Sequence, residues 1–211
     1  MTQAVVPAAG AAEAHGDHGH ETNTGVSNAK LGMWLFISSE ALFFGAFIAT
    51  YFLYRGRDEG FFKGIRPDEV FNIPFTSVTS FILLMSSLSM VLALAAIQRG
   101  DHRRLRIWLL ATVLFGATFI AGQVFEFTEF YREGLKLSTN MFGTTFYVLT
   151  GLHGAHVTMG IIWLGILYGR SMQGRLPSGK SESVEIAGLY WHFVDIVWIV
   201  IFTVIYLLPQ P

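Results

Sequence analysis

The sequence has no cysteine, which excludes disulfides, iron–sulfur ligation and thiol catalysis and leaves the redox compartment open. Charge is also scarce. Asp, Glu, Lys and Arg make up 14% of the 211 residues, against 52% hydrophobic residues. That balance excludes an ordinary soluble domain and places the chain among integral membrane proteins. The formal net charge is −1, so nothing calls for nucleic acid or another polyanion as partner. There is no Gly-rich phosphate loop or nucleophile elbow, and no repeat of roughly 20–50 residues. The first residues lack the basic start, apolar core and small-residue cleavage site of a secretory signal.

What the chain does have is long uncharged runs. A helix of about 20 apolar residues crosses a hydrocarbon core of about 30 Å. Runs of that kind predict spans over about 31–54, 75–97, 107–127, 141–168 and 186–208. The expected fold is therefore all-α, an integral membrane bundle of five transmembrane helices filling residues 30–211. Residues 1–29 read as a disordered, His-rich polar tail. His15, His18 and His20 there are either solvated or loose collectors of a metal ion. Five spans put the termini on opposite sides. Eight Lys and Arg fall on the N-terminal side against six on the other, which favours a cytoplasmic N-terminus.

The chemistry-bearing residues are the polar ones inside these runs. Glu40 follows Lys30 by ten residues, which at 1.5 Å per residue places it about 15 Å deep. A carboxyl at that depth costs several kcal/mol unless it is partnered. It reads either as a helix-to-helix hydrogen bond or as a proton-exchanging or gating carboxyl. His153 and His156 are three apart and predict one polar helix face. His192 and Asp195 share that spacing and predict a pair in which the carboxylate fixes the imidazole. Gln123, Glu126 and Glu129 recur at intervals of three, a stripe expected to surface at the membrane interface. The second span carries seven hydroxyl residues, Thr76, Ser77, Thr79, Ser80, Ser86, Ser87 and Ser89. They suit either close helix packing or a path for protons and water. A haem with two imidazoles needs one histidine on each side of the ring. A di-metal site needs several carboxylates beside the histidines. Neither set is present, so no haem or metal is expected in this chain.

Three segments in order, Trp34–Phe47 (WLFISSEALFFGAF), Phe146–Gly160 (FYVLTGLHGAHVTMG) and Leu189–Trp198 (LYWHFVDIVW), together resemble subunit III of the haem–copper oxidases. The resemblance covers nearly everything after residue 30 and is supported by Gln123 and the Glu126–Phe127 pair. It implies an accessory subunit, without a catalytic site of its own, flanking the large subunit I beside subunit II in a proton-pumping terminal oxidase of aerobic respiration. Haems and copper would sit in those partners. Support of proton uptake, protection against turnover-linked inactivation and a route for dioxygen are the roles it implies. Glu40 falls on the family's carbodiimide-reactive intramembrane carboxyl. Arg170, fourteen residues after His156, falls where a guanidinium clamps a phospholipid phosphate, or is simply a flanking positive charge. Glu185, seven residues before His192, also fits the family pattern and joins Gln123, Glu126, His153, His156, His192 and Asp195 as the expected interhelical polar network.

In mitochondrial-type members two further helices precede these five, so a lipid at Arg170 requires a neighbouring subunit to close its groove. The five-helix form resembles bacterial members, which implies a bacterial plasma membrane. Both cytochrome c and quinol oxidases include such forms; the SSE triplet, Gln123 and Tyr190 lean to the cytochrome c branch. Two other functions compete. A stand-alone proton-coupled transporter would use Glu40, Glu126 and Asp195, but an odd number of spans and no repeat argue against it. A metal-binding membrane protein would use the tail histidines.

Overall fold

The computed structural model describes residues 27–57, 61, 71–176 and 181–208. Among them, five helices are long and apolar enough to cross a membrane. They are α1 (Asn28–Arg57), α2 (Ile73–Gln98), α3 (His102–Arg132), α4 (Met141–Met172) and α5 (Ser181–Phe202), the last continuing into a π-helical turn, Thr203–Leu207. The expected all-α membrane bundle of five transmembrane helices is what the chain forms. The tail histidines His15, His18 and His20 lie outside the described residues.

Capping chemistry sets the ends. The side chains of Asn72, Asp101 and Asn140 accept hydrogen bonds from the backbone N–H groups of Phe75, Arg104 and Gly143, satisfying donors that a helix start leaves open. Helices α2, α3 and α4 each stop at a glycine with positive φ, Gly100, Gly134 and Gly174. The next residue's N–H then reaches back to Ala96, Phe130 or Arg170, the paired-bond ending that a left-handed glycine permits. These caps lie beyond the apolar runs, so the helices outrun the predicted spans. The third was expected over 107–127 and runs from His102 to Arg132. Its terminal arginines are helical because long side chains carry the charge out to water while their stems lie along the helix.

Helices α2, α3, α4 and α5 form a four-helix bundle, and α1 leans on the α4–α5 side. Most of α1 is exposed, as suits a helix whose solvent is lipid. Helix α5 is the inner element, carrying buried Tyr190, Trp191, Val194, Asp195, Trp198 and Ile201. At its far end an aromatic cluster closes the bundle, with Tyr206 of the π-helical turn stacked on Phe71 at 4.4 Å and Phe130, Phe142 and Phe146 around them.

Candidate functional site

The hydroxyl face of α2 is the seam against α5. The Trp191 indole N–H donates to Ser86 Oγ at 2.9 Å, and that of Trp198 to Ser80 Oγ at 2.8 Å. Ser87 Oγ lies 2.6 Å from His192 Nδ1. On the α3 side, Ser89 and Thr112 share a bond of 2.8 Å, and Thr76 donates to the Glu126 carboxyl. Small hydroxyl residues let helices approach and bond across the contact. Five of the seven hydroxyls join neighbouring helices in this way, and Thr79 packs its methyl against Gly122 of α3. Ser77 is half-buried and bonds its own helix.

Glycines make the room. Trp191 is fully buried. A Cβ on Gly116 would stand 2.7 Å from its ring, and one on Gly160 2.8 Å. Similarly, Gln123 of α3 donates to the Thr150 carbonyl of α4 at 2.8 Å, and its amide lies over Gly154, where a Cβ would stand 2.7 Å from Oε1. Gly154→Ala and Gln123→Ala should each destabilise the bundle by about 1 kcal/mol, the scale of one interhelical bond. The double variant should cost clearly less than the sum, because the added methyl then has nothing to meet. Unfolding in detergent measures the cycle, and strict additivity would break the link between the two positions.

The second polar centre joins α1 to α4. Glu40 Oε2 lies 3.2 Å from His156 Nε2, with both side chains largely shielded. His156 Nδ1 is 2.8 Å from the Leu152 carbonyl, and a carbonyl can only accept, so Nδ1 carries a proton. Nε2 is thereby the ring atom that faces the Glu40 carboxyl. Phe44 packs edge-on to the imidazole at 5.1 Å, and the Tyr190 hydroxyl donates to the His156 carbonyl at 2.9 Å. At the start of the helix, Lys30 and Glu185 form a 2.8 Å ion pair, and Ser27 bonds Glu182. Two polar ties thus hold the otherwise exposed α1 to α4 and α5.

Several expected contacts are redistributed. His153 and His156 do not share one surface. Three residues correspond to about 300° of helix rotation, which leaves enough angle to reach two neighbours. His156 faces α1, while His153 is fully buried, stacked on Trp198 at 4.9 Å with Phe119 edge-on and both ring nitrogens without a hydrogen bond. The His192–Asp195 pair does not form. Ser87 takes the imidazole, and Asp195, 3% exposed, lies against the same serine with neither oxygen in hydrogen-bond geometry. Glu126 is not at the interface either. Helix α3 runs on past it, so it is buried against α2, and only Glu129 reaches the surface, beside Arg132 at 3.3 Å. Arg170 is exposed in the last turn of α4. The next carbonyl, that of Ser171, accepts from Arg106 at 2.9 Å. The sequence reading named Thr76, Ser86 and Ser87 as packing hydroxyls without their partners, and Thr150 and the facing glycines escaped it. Their signal was present as hydroxyls and glycines inside spans, but not their pairing.

A family model described as cytochrome c oxidase subunit III matches residues 8–209 of the chain. The chain belongs to that family. Quinol oxidase subunit 3 of Bacillus subtilis (strain 168) is 39% identical over 202 residues, covering 92% of this chain and 97% of that protein. Cytochrome c oxidase subunit 3 of Bacillus sp. (strain PS3) is 37% identical over 181 residues, 86% of each chain. Probable quinol oxidase subunit 3 of Staphylococcus aureus (strain USA300) is 32% identical over 195 residues, covering 90% of this chain and 96% of that protein. This is a multi-pass membrane subunit III of the haem–copper oxidases, and its relatives include both quinol and cytochrome c oxidase forms. Glu40, His156, Gln123, Gly154, Tyr190 and His192 all fall inside the three segments and the third span that carried the resemblance.

Proposed function

We propose that this subunit III acts as a non-redox flank of the large catalytic subunit in a proton-pumping oxidase of aerobic respiration. In this reading it lies in a bacterial plasma membrane with its N-terminus cytoplasmic, and subunits I and II carry the haems and copper. One observation carries the reading. Four polar groups within its spans are tied, pair by pair, to neighbouring helices of the same chain: Glu40 to His156, Gln123 to Thr150, Glu126 to Thr76 and His192 to Ser87. A bundle braced in that way offers a rigid wall to a neighbour.

The residues that would have to hold a haem or metal do not suit one. His156 and His192 are engaged by Glu40 and Ser87, and His153 is enclosed between two aromatic rings. Among the described residues His, Asp and Glu do not gather in threes. Quinol as electron donor is the second reading, favoured by the 39% identity to a quinol oxidase subunit over most of both chains. Supplying quinol or reduced cytochrome c to the purified oxidase separates the two.

The accessory role is tested by removing the chain. Oxidase depleted of it should begin dioxygen reduction at the rate of the intact complex and then lose activity progressively during turnover. An oxygen-electrode trace records both phases. Loss of activity from the first turnover would contradict the proposal.

A further inference from the structure

The turn between α2 and α3 roofs a groove of about 450 Å³ that no contact described above uses. Its walls are Leu92, Ala95, Ala96, Ile107 and Trp108, and its rim carries Arg99, Asp101 and Arg104. Leu92 precedes Arg99 by seven residues, so at 1.5 Å per residue the apolar wall descends about 10 Å from the charged rim. Its one carboxylate is already engaged, since Asp101 Oδ2 lies 3.2 Å from Arg104 Nε. Arg99 is exposed and has no ion-pair partner among the described residues. Two guanidiniums against one carboxylate leave the rim positive, and that rim lies where α2 leaves the apolar zone. Trp108 stands one turn below Arg104, at the depth where amphipathic rings collect.

An anionic head above and hydrocarbon below is the chemistry this groove complements. From the geometry we infer that it is a binding site for one anionic phospholipid. Arg99 and Arg104 hold its phosphate, and the start of an acyl chain lies on Ala95, Ala96, Ile107 and Trp108. Arginine suits that task because its planar fork meets two phosphate oxygens at once. The site is separate from Arg170 and from the Glu40–His156 contact, and it does not depend on which electron donor feeds the oxidase.

The test is lipid retention by the intact complex purified in mild detergent, read by native mass spectrometry. The wild-type complex should keep one anionic phospholipid more than the Arg99→Gln/Arg104→Gln variant. Arg99→Lys/Arg104→Lys should restore most of it, and Ala95→Leu, which fills the groove without touching the charges, should lose it. Excess inorganic phosphate should not displace it. Equal lipid counts in wild type and the two loss variants would overturn the inference. So would displacement by phosphate, which marks a site for the free anion. Loss of a neighbouring subunit together with the lipid in Arg99→Gln/Arg104→Gln would also overturn it, by making the groove a protein contact.

Discussion

Glu40→Lys should prevent the subunit from assembling into the oxidase, whereas Glu40→Gln should assemble and turn over normally. The difference follows from the proton count at His156. Its Nδ1–H is committed to the Leu152 carbonyl, so a neutral ring presents Nε2 as an acceptor, and the amide introduced by Glu40→Gln can donate to it. The α1–α4 tie survives with no net charge. An ammonium introduced at the same depth takes the place of the carboxylate that faced the ring and lies midway along a 30-residue helix, too far from either end to reach water easily. A cation at a helix centre costs about 3 kcal/mol in insertion alone. Because α1 rests on so few other buried contacts, that is enough to detach it. Immunodetection of the subunit in purified oxidase reads the outcome. Normal assembly of Glu40→Lys would mean that α1 is not held by this contact.

The largest loss of stability should come from Trp191→Ala, at about 3–5 kcal/mol, the range for emptying a fully buried large aromatic side chain. Three helices close on this one ring, Ser86 at its N–H and Gly116 and Gly160 at its faces. Gly160→Ala should follow at about 1–3 kcal/mol, since the new Cβ meets a rigid ring packed on its other side and overfills the core. Trp191→Phe should be mildest of the three, losing one interhelical bond of about 1 kcal/mol and part of the ring area. Thermal unfolding of the purified complex, followed by release of this subunit, gives the order. A Gly160→Ala complex as stable as wild type would show that α4 and α5 do not pack as closely as described.

The number and type of elements were readable because a membrane span announces itself by length. The uncharged stretch from Met141 to Tyr168 and the interruption at Arg99–Arg106 allow little else. The residues worth watching were legible for a related reason, because a glutamate or histidine inside hydrocarbon is costly and so rarely placed there without a use. Who that partner is was not legible. Spacing along one helix suggested His192 with Asp195, but the nearest hydroxyl came from Ser87 on another helix, 105 residues away. Nor can residue spacing reveal a close approach: Gly154 and Gly160 look like flaws in a helix until Gln123 and Trp191 are seen lying over them. The caps of α3 were written plainly in Asp101 and Gly134, yet hydropathy, which follows side chains rather than backbone hydrogen bonds, ended that helix early.

The central claim is that Glu40, Glu126, His156 and His192 of this subunit brace its own helices and that the chain holds no redox centre. The most direct measurement is the iron and copper content of the oxidase, per large subunit, before and after this chain is stripped away. The account predicts the same metal content and an unchanged visible spectrum in both preparations. A stoichiometric loss of iron or copper with the departing chain would contradict it.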